Sequence, residues 1–280
     1  VSNQDFVVEE TAGVGAFVSG IDLRTINDAV LVQLKDAFAQ YGLLFFRDQQ
    51  LSPQDHIAFA RRWGPININR FFAPVAGYPQ IAQVLKEPEQ RANIGDGWHT
   101  DHSYDQIPAL GSLLYARETP PQGGDTLFAN TCSAYDGLSQ ALKKTLSGLQ
   151  AVHSSAHVFG EQSGHAEELA ERLGNYSPAA QQDAIHPVVI THPLSGRKSL
   201  YVNPSFTLRI QGWSAEDSTS LLTELYAQVS RPEFSFRLRW APGTLAFWDN
   251  RATWHWAMND YHGYRRLMHR ITLEGVPLEA

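Results

Sequence analysis

The spacing of apolar positions along the 280-residue chain changes period several times, and each change predicts an element. Phe6-Val7-Val8 and the stretch from Gly13 to Val18 read as short strands, the second with small residues where backbones approach closely. Val30, Leu31, Leu34, Ala37, Phe38 and Tyr41 then recur at the spacing of a helix packed on one side, and Gly42 supplies its stop. Leu43-Leu44-Phe45-Phe46 follows as a buried strand. Ser52-Pro53-Gln54-Asp55 combines an N-cap serine, a proline at the first helical position and an acid three residues after the cap, which predicts a second helix running to Arg62.

Strands are expected from Ile81 to Leu85, from Leu110 to Ala116 and from Thr126 to Phe128, with a polar loop from Lys86 to Gly97. Thr131 and Ser139 are the expected caps of two short helices. Glu161 to Leu173 is polar and helix-compatible, which suggests a surface excursion or lid within residues 160–185. Pro187 to Ile190 and Leu200 to Val202 flank a turn at Ser195 to Lys198 and predict a hairpin. Ser214 opens a helix to Val229, and Phe234 to Trp240, Leu245 to Trp248 and Met268 to Leu273 return to strands. Many short strands with a few segregated helices, and no linker, predict a mainly β single domain over 1–280, a double-stranded β-helix (jelly-roll) barrel with helical additions.

Composition narrows the partners. The formal net charge of −7 gives no basic footprint for nucleic acid or an anionic membrane, so an anionic ligand must be met by a few local arginines. Cys132 is the single cysteine, which excludes a disulfide within the chain and a cysteine-based metal site. No apolar run approaches the roughly 18 residues of a membrane span. Val1 to Asp5 lacks the basic and apolar regions of a signal peptide, and a cytoplasmic homo-oligomer is the expectation.

The candidate chemistry lies in Gly97-Trp98-His99-Thr100-Asp101-His102. On a strand, residues two apart face the same side, so His99 and Asp101 are expected to aim an imidazole and a carboxylate at one point. Asp249-Asn250-Arg251-Ala252-Thr253-Trp254-His255 offers a third ligand, His255. Two imidazoles and a carboxylate with open positions suit a non-haem Fe(II) centre. Among 11 histidines a bare His-x-Asp triplet is weak evidence, and the surrounding sequence has to carry the assignment.

That context resembles the taurine and aryloxyalkanoate dioxygenases, which depend on Fe(II) and 2-oxoglutarate, over nearly the full length. The carriers are Trp98-His99-Thr100-Asp101, Gly123-Gly124-Asp125-Thr126, His192-Pro193, Trp248-Asp249-Asn250-Arg251, His255, Arg266 and Arg270. The resemblance implies that His99, Asp101 and His255 bind Fe(II), that Thr126 and Arg266 hold the distal carboxylate of 2-oxoglutarate, and that Arg270 meets the acid group of the substrate. Even spacing on a strand puts Arg266 and Arg270 on one face, while Arg265 is expected in solvent. By the same resemblance Phe159 and Phe206 line the substrate cavity, although aromatics fill cores more often than sites. Asn69 and His102 are further candidate substrate contacts; a regular strand would turn the His102 side chain away. Trp248 and Trp254 are expected to pack around the metal, and His153, His157, His165, His186 and His262 to be structural or exposed.

The stretches Asn67 to Phe72 and Asn93 to Gly97 depart from the taurine-specific pattern, which places a His and a Tyr after the second helix and an Asn before the metal-binding strand. Taurine is therefore disfavoured. The implied reaction uses O2 and 2-oxoglutarate to hydroxylate a small acidic organic substrate of the alkylsulfonate, alkyl sulfate or aryloxyalkanoate type next to its heteroatom, with succinate and CO2 released. Two alternatives are a 2-oxoglutarate-dependent hydroxylase of an amino-acid-like metabolite and a non-catalytic jelly roll binding metal or a small acid.

Overall fold

Strict alternation along three neighbouring strands builds the barrel wall. In Leu43 to Phe46, Leu44 and Phe46 enter a core shared with two helices, while Leu43 and Phe45 enter a second core on the other face. Leu113 and Tyr115 oppose Leu114 and Ala116 in the same way, as Leu245 and Phe247 oppose Ala246 and Trp248. A strand buried on both faces reads as a continuous apolar run, which is why Leu43-Leu44-Phe45-Phe46 shows no polar gap.

The computed structural model describes residues 6–159 and 183–280. In chain order the first half forms β1 (Val7–Glu10), β2 (Ala16–Ser19), α1 (Asp28–Tyr41), β3 (Leu43–Phe46), α2 (Pro53–Arg61), β4 (Ile66–Asn67), β5 (Pro74–Val75) and β6 (Tyr78–Lys86). Next come β7 (Gly111–Glu118), β8 (Thr126–Asn130), α3 (Thr131–Asp136), α4 (Gln140–Leu146), β9 (Gln150–Ser154) and α5 (Ala156–Phe159). The remainder is β10 (Asp183–Pro187), β11 (Val189–Thr191), β12 (Lys198–Leu200), β13 (Thr207–Ile210), α6 (Ala215–Val229), β14 (Ser235–Leu238), β15 (Leu245–Asp249), β16 (Thr253–Ala257) and β17 (Arg266–Leu273). The expected excursion from Glu161 to Leu173, and His165 with it, lies outside the described residues.

The large sheet runs β1-β2-β3-β15-β7-β17-β6-β5, with β4 beside β17, and a smaller sheet runs β14-β8-β16. Leu43, Phe45, Met268 and Trp248 from the first meet Phe128 and Leu238 from the second, giving the two facing sheets of a jelly roll. Helices α1 and α2 cover the outer face of the large sheet. The α3, α4 and α6 helices pack over a third core with Ala151, Val188 and Ile210.

The capping chemistry agrees with its sequence signals. Asn27 accepts from the N–H of Val30 at the start of α1, and Gly42 ends that helix in the left-handed conformation at φ 68°. Ser52 and Asp55 complete a reciprocal capping box on α2, and Ser139 and Ser214 cap α4 and α6. The cap of α3 differs from expectation. Asn130, not Thr131, accepts from the N–H of Ser133, because β8 continues to Asn130 and leaves Thr131 as the first helical residue, its hydroxyl against Ser199 Oγ at 2.7 Å.

Candidate active site

The two imidazoles are brought together by backbone pairing between segments far apart in sequence. His99 forms an isolated antiparallel bridge with His255 on β16, in which each residue donates its N–H to the other's carbonyl, at 3.0 and 2.8 Å. Directly opposed residues of such a pair project to the same side, and the ring centroids lie 4.0 Å apart. The expected strand through Asp101 is absent. The chain turns instead at residues 101–104, with His102 in the left-handed region at φ 60°, and that turn swings the Asp101 carboxylate back to the imidazoles.

Asp101 Oδ1 then lies 3.7 Å from His99 Nε2 and Oδ2 lies 3.6 Å from His255 Nε2. The ligand-capable atoms of all three residues fall within 4.8 Å of one another. His99 Nδ1 faces the carbonyl of Gly97 at 2.9 Å, which assigns the proton to Nδ1 and leaves the Nε2 lone pair toward Asp101. Gly95 is needed beside it, since a Cβ there would sit 3.1 Å from His99 Cε1 at a backbone φ of +81°.

Burial lowers the pKa of both imidazoles, that of His255 far below the ordinary histidine range with the adjacent His99 adding to the effect. Burial alone would raise the Asp101 carboxyl, but Arg270, His255, His99 and His102 outweigh it and hold it below the usual carboxylate range. Two neutral imidazoles and an ionised carboxylate are the protonation states that a divalent cation needs.

Arg266, Met268 and Arg270 alternate inward along β17, so both arginines reach the space between the sheets, and both are buried. Arg270 Nη2 lies 3.0 Å from Asp101 Oδ2. Arg266 Nε and Nη2 have no hydrogen-bond partner. Burial lowers its pKa, partly offset by Tyr261. Thr126 Oγ1 accepts from Trp240 Nε1 at 2.9 Å, which leaves its own proton to donate. Gly124, at φ +67°, admits Arg266, for a Cβ there would meet Pro120 Cγ at 2.9 Å and Arg266 Cδ at 3.4 Å.

All ten candidate residues line one cavity of about 510 Å³: His99, Asp101, His255, Thr126, Arg266, Arg270, Phe159, Phe206, Asn69 and His102. The Phe159 ring stacks on Phe71 at 4.4 Å, and Phe206 stands edge-on to Tyr104 at 4.8 Å. Asn69 reaches the cavity with its Oδ1 already accepting from the N–H groups of Phe71 and Phe72. His102 lines the cavity rather than turning away, because its left-handed backbone breaks the strand alternation, and its Nδ1 meets Asp105 Oδ2 at 2.8 Å.

Trp248 packs on His255 at 4.6 Å as expected. Trp254 does not share that role. As the neighbour of His255 on β16 it faces the opposite side, in the core with Tyr226 and Trp98. Arg265 is fixed at the surface by Glu87 and Glu118. Tyr104, Asn93, Asp96 and His157 also line the cavity. No sequence period marks them, since all four sit in turns, loops or one short helical turn.

A family model described as "Taurine catabolism dioxygenase TauD, TfdA family" matches residues 8–272. The chain belongs to this family. It is an Fe(II)- and 2-oxoglutarate-dependent dioxygenase that consumes O2. An alkylsulfatase of Acinetobacter baylyi is 38% identical over 269 residues, covering 95% of this chain and 83% of the relative. An alpha-ketoglutarate-dependent sulfate ester dioxygenase of Pseudomonas putida is 34% identical, covering 96% and 89%. The crystal structure of a taurine dioxygenase from Burkholderia xenovorans superposes with a TM-score of 0.81 at 32% identity, covering 96% of this chain and 91% of that one.

The residues of the dioxygenase fit both groups that its family uses. The His99, Asp101 and His255 donor set has the protonation a ferrous ion requires. A buried guanidinium with two unpartnered N–H donors is costly unless an anion satisfies it, and Arg266 with the Thr126 hydroxyl is suited to a carboxylate by charge-assisted hydrogen bonds. No described helix is long and apolar enough to cross a membrane.

Proposed function

We propose that this dioxygenase hydroxylates small acidic organic molecules of the alkyl sulfate, alkylsulfonate or aryloxyalkanoate type at the carbon next to the heteroatom. The observation that carries the reading is a pair of buried guanidinium groups, Arg266 and Arg270, four residues apart on β17 and lining the cavity that contains His99, Asp101 and His255. Two fixed cations in one cavity suit two organic acids held together. Arg266 and Thr126 take the distal carboxylate of 2-oxoglutarate, and Arg270 takes the acid group of the substrate. The names of the sulfate-ester relatives support this class.

In this reading His99, Asp101 and His255 hold Fe(II), which supplies O2 activation coupled to oxidation of 2-oxoglutarate to succinate and CO2. The protein supplies position and dryness. Arg270 orients the acid group so that the neighbouring C–H faces the metal side of the cavity. Phe159, Phe206 and Trp248 keep water from that carbon, and Asn69 and His102 border the substrate end. Hydroxylation of a carbon bearing a sulfate ester gives a hemiacetal-like product that breaks its C–O bond, leaving an aldehyde and sulfate. The chemistry is contained in a single domain over 1–280, a reading supported by the span of the family match.

The test is succinate release by the Fe(II)-loaded protein with 2-oxoglutarate and ascorbate, across alkyl sulfates, alkylsulfonates, aryloxyalkanoates and amino acids. Stimulation by one of the first three classes, with the aldehyde or phenol formed in step, is expected. Stimulation by amino acids alone would overturn the reading.

A further inference from the structure

Thr100 stands between two of the three proposed iron ligands yet does not line the cavity. Its hydroxyl donates to the backbone carbonyl of Asn250 at 2.6 Å, in the turn joining β15 to β16, and both residues are buried. That turn is tightly anchored. Asp249 accepts from Arg251 N, Nε and Nη2 at 2.9, 2.8 and 2.7 Å. His192 Nδ1 accepts from Ser195, so Nε2 carries the proton and donates to Asp249 Oδ2 at 3.0 Å. Asn250 receives Trp248 Nε1 at 2.9 Å and gives its own N–H to the carbonyl of Leu110 at 2.9 Å.

The order Ser195, His192, Asp249 is that of a hydrolytic triad, but Arg251 occupies the carboxylate and the adjoining space is only about 10 Å³. No substrate fits there. The cluster's geometry points inward, to the turn it fixes.

His99 is tied to His255 through the backbone, whereas Asp101 lies in a turn and makes no ladder bond. The register between the imidazole pair and the carboxylate therefore depends on what holds the chain between residues 99 and 101. We infer that Thr100 is a positioning residue for the metal centre, fastening the backbone between His99 and Asp101 to the turn anchored by Asp249, Arg251 and His192. This rests on the ligand set proposed above. Partners that orient metal ligands from outside are typically worth about 10–100-fold in metal affinity.

The experiment is Mn(II) binding to the full chain without substrate, read from the electron paramagnetic resonance of the free ion, beside thermal unfolding of the metal-free protein. Thr100→Val should raise the Mn(II) dissociation constant about 10–100-fold, while Thr100→Ser, which keeps the hydroxyl, should stay near wild type. A lowered Tm for Thr100→Val with unchanged Mn(II) affinity would mean a merely structural role and overturn the inference. Equal loss in the valine and serine variants would also overturn it, because the retained hydroxyl would then not preserve metal affinity. If the valine variant does not fold, Thr100→Ala is compared with Thr100→Ser on the same terms. Wild-type protein that binds no Mn(II) would remove the ligand assignment and this inference together, whatever the substrate panel gives.

Discussion

His56 on the buried face of α2 and His255 beside the cavity are both enclosed, and burial lowers both imidazoles below the ordinary histidine range, His56 to about 3. Their surroundings differ. Neither ring nitrogen of His56 makes a hydrogen bond of good geometry; its neighbours are the Leu113 backbone, the Tyr115 ring at 6.0 Å and the repelling groups His269 and Arg117. His255 faces the Asp101 carboxylate and the His99 ring, and borders open space. Desolvation therefore favours the neutral form of both imidazoles, with or without a functional role. Convergence with a carboxylate next to a cavity is what suits an imidazole to hold a metal.

The same contrast separates the buried unpartnered nitrogens. Those of Arg266 border a cavity that an anion can enter, whereas those of His56 lie outside that cavity, on the face of α2 packed against the large sheet. A buried orphan is informative only where a partner has room to arrive.

The strongest way to break this comparison is to remove the carboxylate that distinguishes the two regions. Asp101→Ala should lower metal affinity by more than about 100-fold, beyond the usual effect of an outer partner, and reduce succinate release to background. Full turnover in that variant would dissolve the distinction. Arg266→Met comes next. Losing two charge-assisted hydrogen bonds of about 1.5–3 kcal/mol each should raise the KM for 2-oxoglutarate about 100-fold or more, with Mn(II) affinity unchanged; an unaltered KM would return Arg266 to the status of His56.

The smallest effect concerns His56 itself. With a folded pKa of about 3 against 6.5 unfolded, only the unfolded chain takes up this proton between those values. Its contribution to stability is present above pH 6.5 and is lost as pH falls toward 3. His56→Leu should therefore remove about 1.4 kcal/mol per pH unit from the acid slope of unfolding free energy. Denaturant unfolding at several pH values checks this, and an unchanged slope would show that His56 is not held neutral in the fold.

Local signals carried much of the fold because they act within a few residues. The Ser52 to Asp55 capping box, the stop at Gly42 and the inward parity of Arg266 and Arg270 all follow from short-range geometry. The sequence missed β16 as a strand because Thr253 to Ala257 offers no simple alternation: His255 faces the cavity between two tryptophans, Trp254 in a separate core and Trp256 bonded to Asp96. Tyr104 and the inward side chain of His102 were also hidden, since both depend on one left-handed residue that a strand reading does not anticipate.

The chain alone determined the residue types of the site, their order, and the short-range geometry of the capped helices and alternating strands. It could not determine how His99 and Asp101 converge. Their i, i+2 spacing suggested a strand, but the convergence comes from a backbone bridge to a residue 156 positions away (255 − 99) and from a turn that reverses the carboxylate. Such pairing exists only once the two sheets have closed, because its energy lies in contacts between distant segments. The aromatic wall and the unpartnered Nε and Nη2 of Arg266 were decided at the same stage, when packing removed water and left those donors beside the cavity.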